Sequence, residues 1–140
     1  MRPFRRRAAL CPQAVDDALH RTLREAARGA AAEWTQGVLS DLAARSPTSL
    51  KITHRHVQLA TGLDLRETLM QDFRLARRCL EGKDLYEGVR AVLTDRDRNP
   101  KWDPARLEDV TEAKVDAYFA SLGDDELQLP SRARMQAFGS

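Results

Sequence analysis

The stretch from Asp95 to Pro100 places oxygen-bearing side chains at the spacing of a calcium-binding loop. Asp95, Asp97 and Asn99 occupy its first, third and fifth positions. The sixth position of such a loop requires a glycine at positive φ, and the last a glutamate that binds through both oxygens. Pro100 and Arg106 stand there instead, and proline cannot adopt a positive φ. The sequence therefore predicts no calcium site, and we interpret these alternating charges as a helix end and the loop that follows it.

His54 and His56 are two further candidates for metal ligands. Residues two positions apart on a helix point in different directions, and no cysteine or third histidine lies one turn away from either. We interpret both as solvated or partly packed side chains. His20 is isolated on another predicted helix and carries no signal. The sequence predicts no metal site.

The segment Ser46-Pro47-Thr48-Ser49, followed by Lys51, combines hydroxyl groups with the free N–H groups of a helix start. Such a start can bind a phosphate. The same residues are also those that helix capping selects, because Ser46 can accept a hydrogen bond from the first turn and Pro47 has the φ that this turn requires. We favour capping over anion binding.

The sequence contains no pattern typical of a complete active site. It has no Gly-x-Ser-x-Gly nucleophile turn and no glycine-rich phosphate or dinucleotide fingerprint. The paired carboxylates Asp16-Asp17 and Asp124-Asp125 fall at exposed positions, whereas a catalytic carboxylate needs burial or a charged neighbour to shift its pKa. We expect no catalytic residue and no cofactor in this chain.

Trp102 is the residue whose exposure to water would be most unfavourable. It lies between Pro100 and Pro104, after an amphipathic segment, with Leu107 and Val110 close behind. A tryptophan in such a loop either folds back onto its own helices or docks onto a part of a larger protein. The sequence supports both interpretations equally.

Length and composition are those of one ordinary domain. The chain has 140 residues, 42% of them apolar, and a net charge of +2. This balance predicts no binding to nucleic acid or to an anionic membrane, although arginines cluster between Arg2 and Arg7. Cys11 and Cys79 have no metal or redox spacing, so we expect a reducing compartment. No apolar run approaches the roughly 20 residues of a membrane span.

Apolar residues recur at three- and four-residue steps along nearly the whole chain, which is typical of amphipathic helices. We predict an all-α fold of five to six helices at residues 12–130, with a basic, disordered start at 1–11 and a mobile tail at 131–140. The first helix begins at Pro12, with Val15, Leu19 and Leu23 on its inner side, and the second spans about 30–44.

Local start and stop signals define the later helices. Ser46-Pro47 begins a helix that ends at Thr61-Gly62, and Asp64 with Glu67 resembles a capping box for the next. That fourth helix is predicted to bury four apolar side chains: Leu65, Leu69, Phe73 and Leu80.

Gly82 is the predicted left-handed stop of the fourth helix, and Asp84 with Glu87 repeats the capping box for the fifth. Asn99-Pro100 ends that helix, so residues 95–103 are predicted to be mostly loop, and Thr111 caps a last helix. The chain is then predicted to be extended around 127–130. Inward-facing side chains are predicted as follows: Leu85, Val89, Val92 and Leu93 on the fifth helix, and Val115, Tyr118 and Phe119 on the last.

Three stretches together carry a family resemblance. Residues 46–53 read SPTSLKIT, residues 73–75 read FRL, and residues 84–102 read DLYEGVRAVLTDRDRNPKW. In order and spacing they resemble the SPTSLK, EYRL and DFxEGVRAxLxDKDxxPxW stretches of 3-hydroxyisobutyryl-CoA hydrolases, a branch of the crotonase (enoyl-CoA hydratase/isomerase) superfamily. The resemblance covers the chain from about Cys11 to Pro130, and the long central motif is specific to this branch.

The resemblance implies the C-terminal helical region of a thioesterase that acts on 3-hydroxyisobutyryl-CoA in valine breakdown. Such enzymes hold the thioester carbonyl in a backbone N–H oxyanion hole of an N-terminal α/β spiral core, which this chain does not match. The chain is then expected to be silent alone and to dock onto that core, in the same protein or as a separate chain. Acyl-CoA would bind only to the complete enzyme, and a homo-oligomer stays open. The implied location is the cytoplasm, or the mitochondrial matrix in a eukaryote.

Four residues of one loop are candidates to face CoA or the core: Arg96, Arg98, Lys101 and Trp102. For the three cations an ordinary solvated loop is the favoured interpretation. Gly88 would permit a close helix approach nearby. Two alternative functions remain open, namely part of an enoyl-CoA hydratase and a stand-alone helical protein-interaction module derived from the family.

Overall fold

The computed structural model describes residues 21–22, 25 and 32–130 of the chain. The helix predicted to begin at Pro12 falls mainly outside these residues, as do the predicted disordered start at 1–11 and mobile tail at 131–140. Those three predictions are therefore not tested.

Five α-helices follow one another in the described part of the chain. They are α1 (Ala32–Ala43), α2 (Pro47–Ala60), α3 (Leu65–Glu81), α4 (Lys83–Val89) and α5 (Glu112–Phe119). A π-helical turn, Arg90–Thr94, continues α4, and two 3-10 turns lie at Leu107–Asp109 and Gly123–Asp125. The described residues contain no strand, in agreement with the predicted helical class. None of these helices is long and apolar enough to cross a membrane.

Three helix starts have the caps that the sequence predicts. The Ser46 side chain accepts a hydrogen bond from the N–H of Ser49, and Pro47 occupies the first turn of α2. Asp64 and Glu67 form both halves of a capping box at α3. Thr111 accepts from the N–H of Lys114 at α5. Each of these caps satisfies a backbone donor that the helix itself leaves without a partner.

Gly82 does not end α3 in the left-handed conformation, so that prediction was wrong. Its φ of −81° and ψ of 163° are extended, because the same residue that ends α3 also precedes the first turn of α4. The constraint at this position is space instead. A Cβ at Gly82 would lie 3.1 Å from the Tyr118 hydroxyl and 3.4 Å from the carbonyl oxygen of Cys79.

The capping box predicted at Asp84 and Glu87 was also wrong. The fifth predicted helix, α4, begins at Lys83, so Asp84 already lies in its first turn, and no side chain caps its start. Both carboxylates bind other groups instead. Asp84 contacts Ser46, and Glu87 binds Arg90 on the same helix and the N–H of Lys101 in the loop. The charge of Asp84 remains favourable at this position because it lies at the positive end of the helix dipole.

The core lies where α2, α3 and α5 meet. Ile52, Leu75, Val110 and Val115 are buried together, with Tyr118 and Phe119 packed against them. The inward positions predicted for the last helix are therefore confirmed. Lys51 is buried beside this cluster, and its ammonium donates a hydrogen bond of 2.8 Å to the Val110 carbonyl, which attaches the 3-10 turn before Val110 to α2.

Most inward positions predicted for the fourth and fifth helices were wrong. On α3, Leu65, Leu69 and Leu80 are exposed, Phe73 is half-buried, and the buried side chains are Gln71 and Leu75. On α4 and the turn after it, all four predicted inward residues are exposed: Leu85, Val89, Val92 and Leu93. The apolar period identifies one face of a helix, but it does not specify what covers that face.

The segment after α5 lies along α3. Arg74 forms an ion pair of 2.8 Å with Glu126, and Arg66 donates to the carbonyls of Leu129 and Pro130. Residues 127–130 have no regular secondary structure, as expected for an extended segment. The two arginines lie two turns apart on α3 and hold this segment at both ends.

Candidate functional site

One arginine organises the loop that carries the predicted site residues. The guanidinium of Arg90 forms two hydrogen bonds with Glu87, at 2.9 and 2.8 Å, and contacts Asp95 at 2.5 Å and Asp97 at 2.8 Å. It also donates to the carbonyl of Asn99 at 3.3 Å. We call these five residues the Arg90 cluster. It uses the fork geometry of the guanidinium, which offers five N–H donors in one plane.

Backbone hydrogen bonds complete the loop around this cluster. Glu87 accepts a second bond, of 2.6 Å, from the N–H of Lys101, and the N–H of Arg98 donates to the Ala91 carbonyl at 3.0 Å. The Asp97 side chain accepts from the N–H of Asn99 at 2.8 Å. The loop is therefore attached to the helix at several points along its length.

Hydrogen bonds within the cluster shift the pKa values of three of its side chains. The hydrogen bond from Arg90, followed by that from the Lys101 N–H, lowers the pKa of Glu87 to about 2. The same arginine, with the Asn99 N–H, lowers the pKa of Asp97. In turn Glu87, then Asp97 and Asp95, raises the pKa of Arg90. Glu87, Asp97 and Arg90 therefore carry full charge at neutral pH, which suits a structural network and not proton transfer.

Arg96, Arg98 and Lys101 all lie on this loop with exposed side chains. Arg96 and Arg98 have φ values of 57° and 52°, in the left-handed region that residues other than glycine rarely adopt. The only side-chain bond of Arg96 in the described part of the chain is a long one, 3.4 Å, to the Leu93 carbonyl. The structure thus holds three cations at the surface, and a role for them in binding CoA stays a prediction.

Trp102 folds back onto its own helices, which is the first of the two interpretations of this residue. Its indole N–H donates to the carbonyl of Ala44, just beyond the end of α1, at 3.2 Å. The ring lies over Gly88, where a Cβ would be 3.4 Å from the indole. The group that approaches Gly88 is therefore the indole, and an added Cβ would meet it at an ordinary van der Waals distance. The side chain is only partly buried, so a further contact with a larger protein stays a prediction.

His54 and His56, which lie on α2, both have side-chain partners among the described residues. His56 Nε2 lies 2.9 Å from the Asp72 carboxylate and its Nδ1 forms a hydrogen bond with Gln71, whereas His54 contacts Gln58. Among the residues that the structure describes, no three side chains of ligand type are grouped as a metal site would need.

Ser46 at the start of α2 contacts the Asp84 carboxylate, whose other oxygen accepts from the Asp103 N–H at 3.2 Å. An anion does lie at this helix start, but it is a side chain of the protein. The capping interpretation of Ser46 is confirmed. The contact to Asp84 spans 38 residues, and no sequence signal could have identified it.

A pocket of about 200 Å³ opens beside this contact. Its lining includes Lys83, Asp103 and Lys114, together with Tyr118. Both lysines are engaged by Asp103, Lys114 with its carbonyl at 3.0 Å and Lys83 with its carboxylate at 3.9 Å. Both cations of the pocket are therefore bound by the chain itself, and the lining specifies no ligand.

The outer side of α4 and its π-helical turn is apolar. Between positions 84 and 93, every exposed residue is a large hydrophobic one, while Glu87 and Arg90 are turned toward the loop. We call these exposed residues the α4 face: Leu85, Tyr86, Val89, Val92 and Leu93. A contiguous apolar patch of this kind is typical of an interaction surface.

Comparison with known proteins gives one family and several relatives. The family described as "Enoyl-CoA hydratase/isomerase" matches residues 8–119. The 3-hydroxyisobutyryl-CoA hydrolase of Xenopus tropicalis, named as mitochondrial, is 48% identical over 91 residues, which are 65% of this chain and 24% of that protein. The mouse enzyme of the same name is 49% identical over 83 residues, 59% of this chain and 22% of that protein.

A solved structure is also similar. A carnitinyl-CoA dehydratase from Mycobacterium thermoresistibile matches with a TM-score of 0.64 and 43% identity, over 76% of this chain and 29% of that one. The chain thus spans about a quarter of the length of the curated relatives it matches.

Proposed function

Because the chain belongs to the enoyl-CoA hydratase/isomerase family, we propose that it supplies the helical segment of a 3-hydroxyisobutyryl-CoA hydrolase-like thioesterase. The observation that carries this proposal is the 48–49% identity to enzymes of that name, which is limited to about a quarter of their length. The resemblance assigns that quarter to the C-terminal helices of the fold. The reaction would belong to valine breakdown, in the mitochondrial matrix of a eukaryote or the cytoplasm of a bacterium.

The chemistry of thioester hydrolysis is assigned to the rest of the fold. Acyl transfer needs hydrogen-bond donors at the carbonyl oxygen and an acid or base whose pKa lies near the working pH. Glu87, Asp97 and Glu126 have lowered pKa values because each is bound by an arginine and a backbone N–H. Since they stay ionised, they are poor proton donors. We therefore propose that these 140 residues are silent alone and act with a crotonase-type core, which in the complete enzyme binds the acyl-CoA.

The cationic loop is proposed to face CoA or the surface of the core. Guanidinium groups match the geometry of phosphate oxygens, and Arg96 and Arg98 are positioned by a fixed loop. Lys101 lies at the end of the same loop, next to Trp102.

A chimera tests the proposal. The 83-residue stretch of the mouse enzyme that aligns with this chain is replaced by the aligned residues of this chain. Release of CoA thiol from 3-hydroxyisobutyryl-CoA is then measured. We expect the chimera to release thiol and the 140-residue chain alone to release none above buffer, with the unaltered mouse enzyme as the control. A chimera that is insoluble or inactive would refute the shared function, and thiol release by the chain alone would refute its silence.

Hydration of an enoyl-CoA is the second candidate reaction. The 43% identity to a carnitinyl-CoA dehydratase favours it, because that enzyme's name describes removal of water from an acyl-CoA and not hydrolysis of the thioester. A second chimera, built on the dehydratase, distinguishes the two. If only the dehydratase chimera catalyses the reaction of its parent enzyme, hydration of an enoyl-CoA becomes the better assignment.

A further inference from the structure

The helix formed by α4 and its π-helical turn has its polar side facing inward. Glu87 and Arg90 point toward the loop and bind each other, Asp95, Asp97 and Lys101. The exposed side carries the five apolar residues of the α4 face and no charge. A surface helix of a self-contained globular protein has the opposite orientation, with its apolar stripe toward the core.

The α4 face cannot turn inward because the inner side is already occupied. Ala91 is fully buried, and the indole of Trp102 lies over Gly88. Rotating the helix would break the bonds of Arg90 to Asp97 and of Glu87 to the Lys101 N–H, and it would place both charges in water or against other helices. The ionic contacts therefore fix which side of the helix is left exposed.

The exposed face is continuous along the helix. Leu85, Val89 and Val92 follow at steps of four and three residues, the spacing of side chains on one helical face. Each is between 43% and 60% exposed, and Leu93 is 65% exposed. On α3, by contrast, the exposed Leu65 and Leu80 share their surface with the exposed charges of Asp72 and Arg77. The α4 face is thus the better candidate for an interface.

We propose that the α4 face is the surface on which the crotonase-type core packs, with apolar side chains of that core as its occupant. This inference rests on the proposed function, and it specifies which helix makes the contact. The α4 face lies within residues 8–119, which match the family. The matched segment covers 24% of the Xenopus tropicalis relative, so about three-quarters of that protein lies outside it. Burial against that remaining part would remove the α4 face from water.

Two valines of nearly equal exposure allow a matched test. Val92, on the α4 face, is 60% exposed, and Val57, on α2, is 61% exposed. Val92→Glu and Val57→Glu are each introduced into the 140-residue chain and into the mouse chimera. In the chain alone both variants should keep the far-ultraviolet circular dichroism of the parent, because both side chains already face water.

In the chimera the two variants should differ. Val92→Glu should lower the yield of soluble, active enzyme at least about tenfold, equivalent to about 1.4 kcal/mol. The yield of the Val57→Glu chimera should stay within about twofold of the parent. Equal losses from the two variants, or an active Val92→Glu chimera, would overturn the inference although the proposed function stands. An inactive parent chimera would instead count against the proposed function. If the chain alone dimerises and Val92→Glu prevents it, a second copy is the occupant and the core is not.

Discussion

Replacing Gly82 with alanine tests the packing between the junction of α3 and α4 and the last helix. The backbone at Gly82 is extended, so alanine is conformationally allowed there. With no other change, a permitted glycine-to-alanine substitution stabilises a protein by about 0.4–1 kcal/mol, because it restricts the unfolded chain. Any destabilisation must therefore arise from contacts in the folded state.

Those contacts are close enough to reverse the sign. The added Cβ would lie 3.1 Å from the Tyr118 hydroxyl, so the tyrosine must move by a few tenths of an ångström. Its ring packs against the buried cluster that includes Leu75 and Val115, which restricts this movement. Overpacking of this kind costs about 1–3 kcal/mol. The net effect of Gly82→Ala is a loss of about 1 kcal/mol in the free energy of unfolding, the difference between the two contributions.

A double-mutant cycle with Tyr118→Phe isolates the cause. Removing the hydroxyl removes the nearest atom, so Gly82→Ala in the phenylalanine background should be neutral or stabilising by up to about 1 kcal/mol. The coupling energy should then be about 1–2 kcal/mol, from urea unfolding followed by circular dichroism. If Gly82→Ala costs the same in both backgrounds, the hydroxyl contact is not the reason for glycine at this position.

Three further predictions concern the loop. Arg90→Lys keeps the charge but loses the planar guanidinium fork that holds the loop. Trypsin should therefore cleave after Arg98 faster than in the parent chain, as measured by mass spectrometry. An unchanged rate would show that the fork is not needed to hold the loop. The folded pKa of Glu87 is about 2, below its ordinary 4.5, so its contribution to loop stability is complete above pH 4.5 and is lost as the pH falls toward 2. Acrylamide quenching of Trp102, measured with the other tryptophan replaced by phenylalanine, should therefore rise as the pH falls from 4.5 to 2. A flat profile would contradict the assignment. Gly88→Ala should be tolerated or should stabilise the folded chain by up to about 1 kcal/mol, because its Cβ would lie at an ordinary 3.4 Å from the indole. Gly88→Leu should instead displace the indole and shift its fluorescence to the red. Identical spectra for both variants would refute the packing of Trp102 over Gly88.

The signals that the sequence conveyed well are the short-range ones. Ser46 with Ser49, Asp64 with Glu67, and Thr111 with Lys114 each involve residues three positions apart, and a cap depends on little else. The two carboxylates with calcium-like spacing, Asp95 and Asp97, both bind Arg90. Contacts across many residues had no such signal.

Gly82 and Asp84 show why the remaining details were not predictable. Each has a residue type that local rules associate with helix ends, and both do lie at such an end. Their actual roles depend on Tyr118 and Ser46, which are 36 and 38 positions away in the chain. A local rule can identify the position, but it cannot determine which of several suitable backbone conformations a distant neighbour will favour.

The error on the α4 face follows from the assumption that an apolar face must be covered by the chain that carries it. That assumption holds when water is the only available partner for the polar side of the helix. Here Arg90 provides polar partners within the chain, because it binds Glu87, Asp95 and Asp97 on the inner side of the helix. The apolar side is therefore left exposed. The orientation of the helix is set by an ionic cluster within this chain, and we propose that its apolar residues pack against the crotonase-type core. A period of hydrophobic residues therefore predicts that an interface exists, and only the distribution of charged partners indicates whether the interface is internal.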